Sequence, residues 1–402
     1  IKLESKQIIQ YRMFVNEKSC ELSPQIFQVE ETLMTASKVY FSDLRTSFKE
    51  NIFIKLNRLL DEAGMDDAVA ERSLVAIKLH FGEKGNSAFI RPNFLRTIVD
   101  RVEGLGASPF LTDANTLYAG TRGNSVSHLH TAVLNGFAYS VVKAPVIIAD
   151  GIRGASFKAV AIDQAFIQTA YIARDIAEAD GLISVAHFKG HELAGFGGTI
   201  KNLGMGCASR KGKMAQHSDV SPKVKKKKCV GCGDCVRHCA GKAISLKEKK
   251  ASINAEKCVG CGECILICPN GAIDVSWNAD IPLMQKKMTE YTLAVLKGKE
   301  KNAFFINFLT DITPACDCYG HSDAPIVHDV GIVASKDPVA IDQASADLVN
   351  QQTGATASCL KEGLKSGEDK FRAVYPKVDW AIQLNHGENI GLGSRKYELI
   401  TI

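Results

Sequence analysis

Eight cysteines in two runs constrain this chain more than any other feature. Cys229, Cys232 and Cys235 stand at C-x2-C-x2-C spacing with Cys239 four residues on. Cys258, Cys261, Cys264 and Cys268 repeat the pattern 29 residues later, and Pro269 follows the last of them. Thiolates two residues apart on a tight turn can reach neighbouring irons of one cubane. Gly231, Gly233, Gly260 and Gly262 let the backbone come close, where N–H groups can donate to cluster sulfur.

A four-cysteine zinc site needs only two C-x2-C pairs, so eight cysteines in doubled register fit zinc poorly. A disulfide framework needs an oxidising compartment, which nothing else in the chain suggests. The spacing is similar to that of the bacterial two-cluster ferredoxins, in which the fourth cysteine of each run ligates the other cluster. It therefore predicts one [4Fe–4S] cluster on Cys229, Cys232, Cys235 and Cys268, and a second on Cys258, Cys261, Cys264 and Cys239. Ala240 stands where the second run has Pro269, so a looser turn is expected after Cys239.

The cysteine module accounts for 223–277 of 402 residues, leaving some 350 residues for other work. With 46% apolar residues the remainder can bury a large core. No run of 18 apolar residues appears, so no membrane span is expected. The first residues lack a basic stretch followed by an apolar one, so no secretory signal is expected. Thirteen cysteines, eight of them assigned to iron, suggest a reducing, oxygen-poor cytoplasm. The formal charge is +5, and two oxidised clusters at roughly −2 each would bring it near neutrality. General polyanion binding, nucleic acid included, loses its support. Lys223 and Lys225 to Lys228 remain as a local basic run just before Cys229. It reads either as a solvated linker or as a docking patch for an acidic electron carrier.

The flanks of the module read as one α/β domain, with 34–222 as its first part and 278–402 as its second; residues 1–33 read as an extension. Expected strands are Ser73–His80, Pro109–Asp113, Pro145–Asp150, Leu182–His187 and Ala303–Leu309, with another leading into Asp337. Expected helices are Pro92–Val102, Ser125–Leu134, Asp163–Ala179, Met284–Leu296 and Pro338–Val349. Alternation of this kind argues for a largely parallel sheet with helices on both faces, interrupted by a small α+β insert. Working residues of such sheets lie beyond the strands' C-terminal ends, which selects His80, Asp113, Asp150, His187 and Asp311.

Two stretches outside the cysteine runs carry chemistry. The first runs from His187, Lys189 and His191 through Gly195, Gly197 and Gly198 to Lys201, Asn202 and Cys207. Gly190 between the histidines argues for a loop rather than a helical metal pair. The later glycines read either as an anion cradle closed by Lys201 at a helix start, or as close packing. Neither the P-loop register nor a dinucleotide or flavin fingerprint is present. The second stretch is Asp311–Cys318, where Cys316 and Cys318 are one residue apart. So short a loop strains a disulfide, leaving a shared third metal, a redox pair, a substrate-facing thiol or simple burial.

The stretches HFKGHELAGFGGTIKNLGMG, DITPACDC and ASKDPVAIDQA, flanking a two-cluster insert, resemble the domain of unknown function 362 family with its embedded ferredoxin, over roughly Lys38 to Asn350. The resemblance implies a split α/β domain with iron–sulfur binding and says little about substrate. The residues then suggest an anaerobic oxidoreductase served by a soluble carrier such as ferredoxin or flavodoxin and acting on a small molecule. Its site would comprise His187, Lys189, His191, Lys201, Asn202, Asp311, Cys316 and Cys318. Lys189 and Lys201 would hold an anion, a histidine would move protons, and the cysteines would bind metal or accept electrons. The alternatives are a redox-sensing docking protein and a simple electron carrier.

Overall fold

The computed structural model describes residues 36–402, apart from 119, 218–221, 240, 259, 261 and 275–279. The expected extension 1–33, Cys20, Ala240, the assigned ligand Cys261 and the expected end of the insert at 275–277 therefore lie outside the described residues.

Eight strands form the central sheet: β1 (Ser37–Asp43), β2 (Leu74–Lys78), β3 (Ser108–Asp113), β4 (Val146–Ile148), β5 (Gly181–His187), β6 (Ala303–Leu309), β7 (Gly331–Ser335) and β8 (Tyr397–Thr401). Their order is β8-β1-β7-β6-β5-β2-β3-β4. Only β7 runs antiparallel to its neighbours; every other pairing is parallel. The sheet is therefore mostly parallel, as the alternating pattern predicts.

Both faces are covered, which is why the inner strands are nearly continuous apolar runs. Along β6, Ala303, Phe305 and Leu309 enter one hydrophobic cluster while Phe304, Ile306 and Phe308 enter the other. This is the two-residue period of a strand buried on both sides. Helices start where caps permit. Asn124 accepts from Ser127 N (3.0 Å) at the start of Ser125–Leu134. Asp337 accepts from Val339 N and Ala340 N at the start of Pro338–Asn350, with Pro338 in the first turn.

One expectation fails locally. Asp163–Ala179 is not a helix: Phe157–Ala161 and Thr169–Ala173 pair as an antiparallel hairpin, and only Arg174–Glu178 is helical. Asp163 takes a positive φ of 50° in the connecting turn, and Thr169, Tyr171 and Ile172 suit a pleated strand. The small residues that satisfied a helical period satisfy a half-buried strand equally well.

Between the two halves, residues 223–274 build two two-stranded sheets, Lys223–Val224 with Ile273–Asp274 and Ile244–Lys247 with Lys250–Ile253. Two short helices, Asp234–Arg237 and Glu263–Leu266, each begin behind a glycine of positive φ within a cysteine run.

Candidate active site

Beyond the C-terminal ends of β2, β3 and β5 lies a cavity of about 760 Å³, where open parallel sheets commonly place their ligands. Of the residues selected by the strand-end rule, His80, Asp113 and His187 line it. Asp150 is not on its lining: it is buried behind, accepting from Asn115 N (3.0 Å) and Asn115 Nδ2 (2.7 Å) and so shaping the loop after β3. Asp311 faces away, with its carboxylate 3.6 Å from Arg91.

Five cationic side chains line the cavity: Lys78, Arg122, Lys189, Lys201 and Lys213. Lys78 stands in a buried strand, its Nζ 3.1 Å from Asp113 Oδ1 and 2.9 Å from Asn202 Oδ1. Burial alone would raise the Asp113 carboxyl, but Lys78 and His128 hold it well below the usual range. Arg122 sits between Glu83 (3.3 Å) and Asp113 (3.4 Å). Lys189 pairs with Asp317 at 3.5 Å and donates to His187 O at 2.9 Å. Lys201 approaches Cys316 Sγ at 3.4 Å. The fifth cation differs: among the described residues Lys213 Nζ meets only the carbonyls of Gly206 and Ala208. Burial pulls its ammonium down to about 8.

The two histidines of the HFKGH stretch have opposite roles, because the segment is extended rather than helical. His187 ends β5 and meets an acceptor at each ring nitrogen: Nδ1 is 2.8 Å from Asp317 Oδ1, and Nε2 is 2.8 Å from Thr310 O and 3.1 Å from Asp311 O. Both ring nitrogens are thus engaged by oxygens of the wall, so His187 is an anchor rather than a group free to meet a ligand. Burial would raise Asp317, yet His187 and Lys189 keep it far below its ordinary value. His191 sits in the hairpin Lys189–His191/Gly195–Gly197. Its Nδ1 accepts from Leu193 N and Ala194 N, both at 3.1 Å. The single proton therefore rides on Nε2, and burial with Lys201 holds the ring neutral, its pKa well below the ordinary value. His80 behaves alike, its Nδ1 accepting from Gly82 N at 2.9 Å. Burial and Arg122 keep it neutral. His217, also on the lining, is pushed to about 4 by burial.

The glycine stretch resolves toward packing. A six-residue helix, Thr199–Gly204, follows it, and its leading N–H groups already have an anion: Thr199 N and Ile200 N donate to Asp342 at 2.7 and 2.9 Å. A Cβ on Gly198 would stand 2.3 Å from Asp342 Oδ1, and one on Gly190 would stand 2.1 Å from Pro314 O. Gly198 and Lys201 reach the cavity, whereas Gly195 and Gly197 are not on its lining. Asn202 orients Lys78, donating through Nδ2 to Lys78 O (3.0 Å) and Ser184 Oγ (2.9 Å).

Cys316 and Cys318 stand together at one end of the cavity. The Cys318 thiol hydrogen-bonds to Cys316, and Lys201 adds its charge, so Cys316 is held well below an ordinary thiol and Cys318 well above. Cys318 is on the lining; Cys316 is buried behind it. Cys207 is sealed in the core and pushed up to about 12 by burial. Among the described residues no three His, Cys, Asp or Glu side chains are grouped to hold a single ion.

Sequence reasoning missed Glu83, Tyr118, Arg122, Lys213 and His217 on the lining. It also passed over Lys78, although a lysine inside an apolar strand run is itself a signal of a paired buried charge.

In the insert, Cys229, Cys232, Cys235 and Cys268 line a second, small cavity. Backbone N–H groups point at three of the sulfurs in the insert: Ala251 N to Cys229 (3.3 Å), Ala243 N to Cys239 (3.2 Å) and Ala272 N to Cys268 (3.2 Å). Cys258, Cys264 and Cys239 are half-buried.

Fold and site together define an α/β protein with a charged cavity at the strand ends and a cysteine-lined insert. The chain belongs to the family described as Domain of unknown function (DUF362), whose model matches residues 75–347. No curated protein matches it. Among solved structures it is similar to the lactate racemase apoprotein from Thermoanaerobacterium thermosaccharolyticum, at 15% identity and a TM-score of 0.36, over 68% of this chain. The match spans about half of that protein's length, 51%. No helix among the described residues is long and apolar enough to cross a membrane.

Proposed function

We propose that this chain is an iron–sulfur oxidoreductase whose insert is a two-cluster ferredoxin-like module feeding the cavity of the α/β domain. One observation carries the reading: Cys268, from the second run, shares a cavity with Cys229, Cys232 and Cys235 from the first. That is the crossed ligand set the spacing predicts for two [4Fe–4S] clusters. The donor set fits the group in other respects. Four thiols surround a space rather than meeting at one ion, and the glycines of the runs take positive φ. A Cβ on Gly231 would stand 2.2 Å from Lys249 O. N–H groups aimed at sulfur favour the thiolate form and tune potential. Cys258, Cys264 and Cys239, with Cys261, would hold the second cluster.

When bound, the clusters supply one-electron transfer. The cavity supplies the rest from the chain's own residues. Lys213 offers an ammonium without a carboxylate partner among the described residues, which suits a carboxylate or phosphate group. His80 and His191 are neutral rings whose remaining proton sits on Nε2, so each can donate a hydrogen bond to a reacting oxygen. Cys318 keeps its proton more tightly than an ordinary thiol, beside Cys316, whose pKa is held well below the ordinary value. Lys189 and His187 fix Asp317 and the cavity wall rather than the substrate.

Iron and acid-labile sulfide, measured on anaerobically purified protein, are expected at about eight of each per chain, with a reduced-state EPR signal. Turnover with a low-potential donor should vanish in Cys316→Ser while that signal stays. Iron-free protein, or zinc in its place, would overturn the reading.

A further inference from the structure

We propose that the insert is polarised: its second cysteine loop serves the cavity, and its first is the port where an acidic redox protein docks. This rests on the two-cluster reading above and adds a direction to it.

The two loops repeat each other in sequence but not in surroundings. The second is pressed against the α/β domain. A Cβ on Gly262 would stand 2.4 Å from Leu117 Cδ1, and Leu117 lines the cavity. A Cβ on Gly260 would stand 3.7 Å from Met214 Cγ, on the same helix as Lys213 and His217 of the cavity wall. Glu263 is clasped by Arg210 and by Arg153 at 2.9 Å. Leu117 and Met214 belong to a hydrophobic cluster that holds cysteines of both runs, so the distinction between the loops lies in the contacts of Gly260, Gly262 and Glu263. Leu117 thus touches the loop backbone on one side and lines the cavity on the other.

The first loop has no such wall. A Cβ on Gly233 would meet only Arg237 and Leu246 of the insert itself. Cys232 is exposed, Val230 is 65% exposed and Leu246 is 45% exposed. Lysines surround this small apolar face: Lys225 to Lys228 precede it, and Lys242, Lys247 and Lys249 are exposed on the insert beyond it. Lys225 is partnered by Asp274 and Arg237 by Asp234, while Glu248 is the acidic exception in the hairpin. An apolar centre with a cationic rim suits an acidic partner, whose charge would accelerate encounter and set orientation. Electron transfer weakens steeply with distance, so a carrier docked here meets the first cluster and the cavity meets the second.

The test uses the holo-protein, reduced by flavodoxin as the acidic probe in stopped flow. Lys227→Glu with Lys228→Glu, both on the surface, should slow reduction on the order of tenfold at low salt. The difference should close as ionic strength rises. The same pair should lower one of two midpoint potentials in an EPR-monitored titration. Arg153→Met removes a cation paired with Glu263 of the second loop and should lower the other potential, with the flavodoxin rate unchanged. A loaded protein whose reduction ignores the lysine reversal at every salt, or in which both changes move the same potential, overturns the polarity alone. Protein that binds no iron overturns the cluster reading and the polarity with it.

Discussion

The insert and the α/β domain stabilise themselves in different ways. The domain encloses its sheet between two apolar clusters built from Phe, Ile, Leu and Val on every inner strand. Each such side chain contributes about 1.5–3 kcal/mol when taken from water. The insert has Ile244, Ala251, Ala272 and Ile273 around its cysteines, and two two-stranded sheets. A two-stranded sheet is marginal alone, and a segment of this size normally needs a metal or another staple. The difference teaches that one region carries its own core while the other has a core too small to stand alone, which the proposed clusters would complete.

On the two-cluster proposal, the largest effect that could break this contrast is removal of iron. Anaerobic chelation is expected to open residues 223–274 to protease while the α/β halves remain protected. An iron-free insert that resists cleavage as well as the loaded one would remove the distinction. Next comes the buried charge network under the cavity. Asp113→Ala removes the carboxylate paired with buried Lys78 and one of the two paired with Arg122, and should cost about 3–5 kcal/mol in urea unfolding. Glu103→Ala, exposed on the helix Pro92–Gly104, should stay within about 0.5 kcal/mol.

A smaller effect concerns the thiol pair. Lys201→Met should move alkylation of the Cys316–Cys318 pair to higher pH, followed by peptide mass spectrometry, because the cation that favours the Cys316 thiolate is gone. An unmoved onset would assign the depression to Cys318 alone. The smallest expected effect is the pH dependence of sulfate binding, read by calorimetry. Lys213 is charged below about 8, so affinity should fall as pH rises through that value and be weak and flat in Lys213→Met. Its pKa is depressed from 10.5 on folding, so the unfolded chain binds more protons between about 8 and 10.5. The contribution of this group to stability therefore rises with pH across that window.

Local pattern was readable wherever periodicity and end signals agreed. Ser125–Leu134 and Ala303–Leu309 form over the expected spans, since one has an Asn cap and the other is apolar on both faces. Asp163–Ala179 misled because alanines spaced for a helix also fit a twisted hairpin, and the turn at Asp163 has no glycine to announce it. The convergence of His80, Asp113 and His187 followed from strand ends. Lys213 and Arg122 left no trace, because a lysine in RKGKM and an arginine in TRGN look like surface residues.

The chain's sequence alone determined the alternating α/β order and the repeated spacing of two cysteine runs, because hydrophobic period and thiol spacing are local properties. Tertiary structure decided which histidine is an anchor and which is a neutral donor, since His187 meets acceptors and His191 meets backbone donors brought from elsewhere. It also decided that the helix start after the glycines is satisfied by Asp342, 143 residues from Thr199. Charge and protonation depend on what surrounds a group, and those surroundings exist only once distant segments have packed together.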